Sequence, residues 1–574
     1  MLHFAMPPPS RSLAALFVLT LTLVGVPSIV SFAASPSQDT IAVSTREVTF
    51  SLSPATPVSV TGGDDIRRLK RLAAGVGWEF SPNAETTAGL KRIGIKTIRG
   101  INVDGPFFPG HFADDGRFVM DGRPQRLDAH LKTCEELQAR PHLILGERPP
   151  AALRIPIADA KERLSVLGQQ LGKRTYWNGD WPKMRAFWKE IFRYTLIERG
   201  FTHARFEIGN EPDIDGQFPR LVGGEGTMGS AALYRMYFDI YKNVTLAAAE
   251  FEAENPGRRV QIGGPALAWA YTFRFGDFNW LEKFLADAAR ENLRLDFIGV
   301  HFYGNITSLT GAYPTLYPPF TEMLASARRA QEKHFPGVPI FITEWGPSYH
   351  TANKPEAWIN ANHIGAAWSA AFLKTMLEQK VEEALFLVTT DLAAKNPESQ
   401  AIENGWGWPS FFVNPKVFDH AWPKAPLHVI DMVNRLQGTR VAFDHAGDGG
   451  KCIDGIASTN TETGRTTILL WNYDAMLPEK SAPARLGEDA VVTVRLGGLA
   501  SSGSTLAALN VKTWLVSETM SDARSLFERE GRLDARSELQ LIEEKTLPGG
   551  VAPACTLTLP KCSVAFMEIT PVIP

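Results

Sequence analysis

The chain has 574 residues, of which 44% are apolar and 21% charged, so it is long enough for two or more domains of ordinary globular composition. These fractions exclude a disordered, collagen-like or polytopic membrane chain. With 59 Lys and Arg against 62 Asp and Glu, the net charge of −3 offers no basic surface for nucleic acid.

The first 33 residues have the order of a secretory signal peptide. Arg11 is the only charged residue before Asp39, residues 13–26 form an apolar run, and Ser31 and Ala33 are small residues before a cleavage point. An uncleaved anchor over residues 13–32 is the alternative, but Pro27 weakens a helix there. We therefore expect a secreted or periplasmic protein with no membrane segment after cleavage.

Short apolar runs alternate with amphipathic segments through the middle of the chain. Such runs are typical of strands buried in a parallel sheet, and their alternation with helices favours a (β/α)8 barrel with enlarged loops. A doubly wound open sheet is the alternative, but no G-x-G-x-x-G opens a helix after the first strand. The eight predicted barrel strands are residues 73–80, 95–98, 142–145, 204–208, 260–262, 297–300, 340–343 and 384–388.

After about residue 437 helical periodicity gives way to short alternating strands between Gly- and Pro-rich turns, the pattern of a β-sandwich. The segment 41–60 is also strand-like, and we expect it to join that sandwich. The predicted organisation is an N-terminal segment (34–70), a catalytic barrel (71–436) and a C-terminal β-sandwich (437–574). Trp471 and Trp514 leave open a sugar-binding role for the sandwich.

The four cysteines are too few for a disulfide-built fold. Cys134 lies in a helical pattern, and one bridge can form among Cys452, Cys555 and Cys562, with the pairing left open. Neither Cys-x-x-Cys nor His-Glu-x-x-His appears, so the sequence predicts no metal site and no cofactor.

Two glutamates follow apolar strands at the edge of a barrel where catalytic groups lie. Glu211 follows the fourth predicted strand in Ile208-Gly209-Asn210-Glu211-Pro212, and Glu344 follows the seventh in Thr343-Glu344-Trp345. A pair of carboxyl groups at one barrel mouth suits glycoside hydrolysis, in which one protonates the leaving oxygen and the other attacks the anomeric carbon or activates water. A separation of about 5 to 5.5 Å would indicate a retaining enzyme. For either glutamate alone, bonding to a neighbouring helix N-terminus is the structural alternative.

Other strand ends carry supporting side chains. Arg99 closes the second strand, and a buried arginine needs a carboxylate partner such as a catalytic glutamate. His301 and Tyr303 end the sixth strand, where alternation turns both toward the same space. We expect Tyr303 and Arg99 to hold Glu344; a structural ion pair or rim position is the alternative for each.

The remaining candidates are groups that suit contact with a sugar. Asn210 precedes Glu211 and has an amide that can bond a hydroxyl. Three tryptophans are candidate aromatic walls of a cleft, although single tryptophans are more often core residues: Trp345, Trp406 and Trp408.

With these motifs placed, the chain resembles glycoside hydrolase family 39, a clan A barrel family that includes β-xylosidases and α-L-iduronidases. The resemblance implies Glu211 as acid/base, Glu344 as nucleophile, retention of configuration and a C-terminal β-sandwich. It also implies an oligosaccharide or polysaccharide substrate, with a β-xyloside or a related plant or microbial glycan expected. The matching blocks are residues 93–100, 187–200, 206–213, 263–266, 295–303 and 343–345.

Two alternatives stay open. The string Gly209-Asn210-Glu211-Pro212-Asp213 also resembles the β-glucuronidases of family 79, and Gly209 stands where family 39 usually has Trp. A catalytically silent carbohydrate-binding barrel is the other alternative, although silence would be better supported if either glutamate were missing. A serine hydrolase has no support, because no G-x-S-x-G elbow is present.

Overall fold

A computed structural model describes the chain from residue 46 to 572, and these residues belong to one unit, Thr45–Pro574. The gaps within that range are residues 61, 78–82, 102, 147–149, 154–175, 178–179, 214–219, 222–229, 269–278, 305–318, 350–354, 392–393, 396–401, 404–405, 448–451, 475–487, 497–507 and 551–552. The predicted signal peptide, residues 1–33, lies outside the described residues. Within the described part, no helix has the length and apolar character needed to cross a membrane.

After an N-terminal strand β1 (Arg46–Pro57), eight parallel strands close into a barrel, and each overlaps one of the eight predicted strands. The (β/α)8 fold is therefore confirmed. The closure is tight between the first and last barrel strands, where a Cβ on Gly75 would lie 2.2 Å from the Ala384 carbonyl oxygen. The barrel strands are β2 (Gly75–Gly77), β3 (Thr97–Gly100), β4 (Arg140–Leu145), β5 (Arg205–Ile208), β6 (Gln261–Leu267), β7 (Phe297–Tyr303), β8 (Ile340–Gly346) and β9 (Glu383–Phe386).

Helices cover the outside of the barrel, and several begin at an Asp or Asn whose side chain accepts a backbone N–H of the first turn. They are α1 (Asp65–Ala73), α2 (Ala84–Arg92), α3 (Gln125–Leu137), α4 (Trp181–Phe192), α5 (Ser230–Glu254), α6 (Trp280–Arg290), α7 (Pro319–His334), α8 (Pro355–Trp358), α9 (His363–Glu378), α10 (Pro415–Phe418), α11 (Ala425–Arg435) and α12 (Ala523–Glu530). A π-helical turn, Arg193–Glu198, continues α4, and 3-10 turns occupy Gly105–Phe107, Ala151–Leu153 and Ala535–Ser537.

Short strand pairs lie in the connections between the barrel elements. The described pairs are Gly110–Phe112 with Phe118–Met120, Tyr176–Trp177 with Arg220–Leu221, Val388–Thr390 with Ser410–Phe412, and Ala394–Lys395 with Ile402–Glu403.

The C-terminal strands form a nine-stranded sheet that includes β1, which pairs with the strands Thr439–Gly447 and Ala490–Arg495. Val511, near one end of the sheet order, and Leu557, on the strand at the other end, belong to one buried hydrophobic cluster, so the sheet folds over on itself as a sandwich. The strands of this sheet after β1 are β10 (Thr439–Gly447), β11 (Ile453–Thr459), β12 (Thr466–Asn472), β13 (Ala490–Arg495), β14 (Leu509–Val516), β15 (Gln540–Leu547), β16 (Ala554–Leu559) and β17 (Ser563–Pro571). Their order in the sheet is β15-β14-β17-β12-β11-β10-β1-β13-β16.

One face of the sandwich packs on the barrel. Trp471 and Phe566 belong to the same hydrophobic cluster as the barrel helices, and Trp471 is only 2% exposed. Lys374 on α9 binds Asp454 at 2.6 Å and lies over the Trp471 ring. Trp471 is therefore an interface side chain and not an exposed sugar platform.

All four cysteines are buried thiols. The strand β12 lies between β11 and β17, and its Asn472 pairs with Ile453 on one side and Ser563 on the other. Cys452 and Cys562 each precede one of these partners by one residue, so the two cysteines lie on opposite sides of β12. Two strand spacings are about 9.5 Å, beyond the reach of a disulfide. Cys555 is a free thiol as well, so the bridge expected among Cys452, Cys555 and Cys562 is not formed.

Candidate active site

The two predicted glutamates converge at the C-terminal end of the barrel strands. Glu344 lies within β8, and Glu211 lies just beyond β5 in a left-handed conformation with φ of +48°. Gly209 before it also has positive φ, which favours glycine over the tryptophan expected from the resemblance. A carboxyl oxygen of Glu211 lies within 4.8 Å of one of Glu344.

Arg99, at the end of β3, connects these elements through one buried guanidinium group. Its Nη1 donates to Glu344 Oε1 at 2.6 Å, its Nη2 to Asn210 Oδ1 at 2.8 Å, and its Nε to Glu207 Oε2 at 2.6 Å. Burial lowers the pKa of Arg99, but the carboxylates of Glu207 and Glu344 more than offset this, so its net pKa is raised. Arg99 is therefore a permanent cation beside Glu344.

Tyr303 and His301, both on β7, complete the bonding of the two glutamates. The Tyr303 hydroxyl donates to Glu344 Oε2 at 2.7 Å, and burial raises the pKa of this phenol well above its usual value. His301 Nδ1 lies 3.0 Å from Glu211 Oε1 and 3.4 Å from Glu344 Oε2. Burial lowers the pKa of His301 to about 4, so the ring is neutral near pH 7. Since Nε2 faces the Arg99 donor, the hydrogen-bond pattern assigns the ring proton to Nδ1.

The two glutamates have different surroundings. Burial raises the pKa of Glu211 to about 7, although the charge of Arg99 opposes the increase. Glu344 instead accepts hydrogen bonds from a guanidinium and a phenol, so each of its oxygens has a donor. Glu211 can therefore carry a proton near neutral pH, while Glu344 is bonded to a permanent cation.

The three candidate tryptophans lie in different places. Trp408 is half-buried and packs beside Tyr303. Trp345 and Trp406 are each 1% exposed, which differs from the expectation that they form cleft walls. Strand alternation turns Trp345 away from Glu344 into the aromatic core, and Trp406 packs in a separate apolar cluster.

Two groups near the site are not predicted from the sequence. Glu207 is fully buried on β5, where it bonds Arg99 and its Oε2 lies 3.3 Å from His142 Nε2. An acidic residue inside an apolar strand is the sequence feature that could have marked it as a site residue. The second group is the buried ion pair of Lys424 with Asp391. Lys424 Nζ donates to the backbone carbonyl oxygen of Trp408 at 3.0 Å, and Asp391 Oδ2 accepts from the Trp408 backbone N–H at 3.1 Å. These residues lie in irregular connections, where periodicity carries no signal.

A metal-like arrangement occurs at the same place. Within the described part of the chain, the one cluster of His, Cys, Asp and Glu ligand atoms close enough for a metal ion is formed by Glu211, His301 and Glu344. Arg99 already bonds Glu344, and its positive charge would repel a cation there. The donor set therefore suits proton transfer better than metal binding.

Comparison with known proteins identifies a family. The family model described as Glycosyl hydrolases family 39 matches residues 180–531. Among solved structures, the chain is similar to the GH39 enzyme from Xanthomonas axonopodis pv. citri, with 18% identity and a TM-score of 0.66 over 94% of this chain and 100% of that one. It is also similar to a monomeric beta-xylosidase from Caulobacter crescentus CB15, with 19% identity and a TM-score of 0.66 over 92% and 100% of the two chains. At these identities the structural likeness supports the fold alone.

The burial of Glu211 predicts a pH-dependent stability. With a folded pKa of about 7 against roughly 4.3 unfolded, its ionisation opposes folding increasingly from about pH 4.3 to 7 and fully above that. Glu211→Gln has no such charge, so relative to wild type it should gain roughly 3–4 kcal/mol of unfolding free energy between pH 4 and 8. Thermal or urea unfolding at the two pH values measures this.

Glu344→Gln is the matched control. It removes an ion pair with Arg99 and should therefore be less stable than the wild type at both pH values. The same stability difference between Glu211→Gln and wild type at pH 4 and pH 8 would contradict the assignment of a raised pKa to Glu211.

Proposed function

Because this chain belongs to family 39 of the glycosyl hydrolases, and so is a glycoside hydrolase, we propose that it cleaves O-glycosidic bonds with retention of configuration, using Glu344 as nucleophile and Glu211 as acid/base. The observation that carries the proposal is the pair of carboxyl groups with oxygens within 4.8 Å of each other. Retaining enzymes separate these groups by about 5–5.5 Å, whereas inverting enzymes leave about 6.5–9.5 Å for a water molecule.

In the first step Glu344 attacks the anomeric carbon while Glu211 protonates the departing oxygen. Arg99 and Tyr303 bond separate oxygens of Glu344 and so restrict the carboxylate to one orientation. A pKa of about 7 lets Glu211 hold its proton until the bond to the leaving group breaks. The product of this step is a glycosyl ester on Glu344.

In the second step Glu211 acts as a base toward water. It is now an anion, and the raised pKa that made it an acid makes it a competent base for the attacking water molecule. The His301 Nδ1–H, 3.0 Å away, stabilises this anion without carrying a charge itself. Two displacements at one carbon restore the original configuration.

We propose a β-xyloside or a related plant or microbial glycan as substrate. The support is that one similar structure is a beta-xylosidase. Trp408 has a half-buried ring beside Tyr303, suited to the apolar face of a sugar. Arg99 restricts the amide of Asn210, which we propose bonds a substrate hydroxyl.

Variants of the two glutamates test these roles on a panel of aryl glycosides. Glu344→Ala should lose roughly 10⁴-fold or more of kcat with every substrate, because no covalent intermediate forms. Glu211→Ala should lose about 10²–10⁴-fold with poor leaving groups but much less with dinitrophenyl glycosides, which need little protonation. Added azide should restore Glu211→Ala and yield a glycosyl azide of retained configuration.

Glu250→Ala, on the exposed side of α5, is the control and should leave every rate unchanged. Azide that instead restored Glu344→Ala with retention would show that the roles are reversed. An inactive wild type across the whole panel would favour a catalytically silent carbohydrate-binding barrel.

We further propose that the protein is exported and that residues 1–33 are removed, on the strength of the charged, apolar and small-residue order of that segment. The mature protein should then begin near Ala34. N-terminal sequencing of the protein from culture medium or periplasm measures this, and an intact Met1 there would contradict cleavage.

A further inference from the structure

One buried carboxylate lies beneath the proposed catalytic pair and takes no part in either step. Glu207, on β5, is fully buried, and a side chain without access to the cleft cannot contact a substrate. We infer that Glu207 is a positioning residue, which through Arg99 sets both the placement of Glu344 and the net positive charge that Glu211 experiences. The inference rests on the proposed roles of Glu211 and Glu344.

The first support is the geometry of the guanidinium group. Glu207 Oε2 accepts from Arg99 Nε at 2.6 Å, while the two terminal nitrogens of Arg99 bond Glu344 and Asn210. A guanidinium is planar and rigid, so a bond that holds Nε also determines the directions of Nη1 and Nη2. Loss of the Glu207 carboxylate would therefore let the whole plane turn, and Glu344 would lose its fixed donor.

The second support is that neighbouring strands provide space for this carboxylate. A Cβ on Gly299 of β7 would lie 2.2 Å from Glu207 Oε1, so any larger residue at that position would displace the carboxylate. Burying an ion pair costs desolvation free energy, and a well-packed apolar pair of similar volume is often as stable. The pair of Glu207 with Arg99 is therefore better explained by its effect on the catalytic groups than by stability.

The third support is the charge balance around Glu211. Arg99 on β3 is a cation that faces it, and Glu344 on β8 and Glu207 on β5 are the anions bonded to that cation. Burial raises the pKa of Glu211, and the Arg99 charge partly offsets this increase. Without Glu207, the positive charge would be less compensated, and Glu211 would release its proton at lower pH.

Four other titratable side chains that the structure describes around these carboxylates are neutral and do not replace that charge. His142 on β4 and His301 on β7 are buried, and burial lowers the pKa of each. Tyr303 on β7 and Tyr237 on α5 are phenols whose pKa is raised well above the usual value by burial. Loss of the Glu207 charge would lower the pKa of both histidines further, so neither would acquire a compensating charge.

The test is the pH profile of kcat/KM for Glu207→Gln, measured with an aryl glycoside that the wild type hydrolyses. The fall of kcat/KM at high pH, the alkaline limb of the profile, reports loss of the proton from the acid Glu211 in the free enzyme. We expect this limb to move to lower pH by about half a unit or more, and kcat to fall about tenfold or more, because Glu211 ionises earlier and Glu344 is less well held.

Glu383→Gln is the matched control. Glu383 is also a buried barrel carboxylate, bonded to Arg205 at 2.6 Å and Thr97 at 2.7 Å, but it lies at the opposite end of the strands. Its replacement should reduce the melting temperature and leave the alkaline limb where the wild type has it. A merely structural role for Glu207 would make the two variants alike.

Glu207→Asp provides a second variant in case the Gln variant does not fold. It keeps the charge but shortens the side chain, so we expect the alkaline limb at the wild-type position and kcat at least about tenfold lower. A folded Gln variant with an unmoved limb, or an Asp variant with wild-type kcat and KM, would overturn the inference. A wild type inactive on every glycoside would instead overturn the proposed function, and this inference with it.

Discussion

The site depends on one buried guanidinium group. Arg99 has no exposed surface, so its charge must be satisfied entirely by neighbours, and it bonds the side chains of Glu207, Glu344 and Asn210. These acceptors come from β5, β8 and the turn after β5, so the arginine links separate parts of the barrel through its interior. Removing one acceptor would leave part of a buried charge uncompensated, which is strongly destabilising.

That single cation also makes the two glutamates different. Glu344 is hydrogen-bonded to Arg99 and to Tyr303. Glu211 is hydrogen-bonded to the neutral His301, and Arg99 acts on it only through the electrostatic effect of its charge. Two carboxyl groups on one barrel mouth thus have environments suited to an anion and to an acid. The difference arises from which strands carry the donors, and not from the glutamates themselves.

Much of this could be predicted because strand periodicity is a local property of sequence. The eight barrel strands are short and apolar, so the sequence alone predicts that four polar side chains meet at one rim: Glu211, Glu344, Arg99 and Tyr303. The family-39 resemblance was confirmed by the family model. A local sequence pattern carries no information on which distant side chains pack together. For that reason the sequence suggests Trp345 as a cleft residue, whereas the structure places it in the core. The role of Glu207 is not predicted for the same reason, since its partner Arg99 lies 108 positions away in the sequence.

The proposed mechanism requires Glu344 to form a covalent bond with the sugar. A 2-deoxy-2-fluoro dinitrophenyl glycoside of the best substrate sugar slows both steps, but its good leaving group lets the first proceed, so the glycosyl-enzyme should accumulate. Mass spectrometry of the intact protein and its peptides should show one fluoroglycosyl group per chain, on the peptide that contains Glu344. Inhibition without a mass increase, or a label on Glu211, would contradict the account.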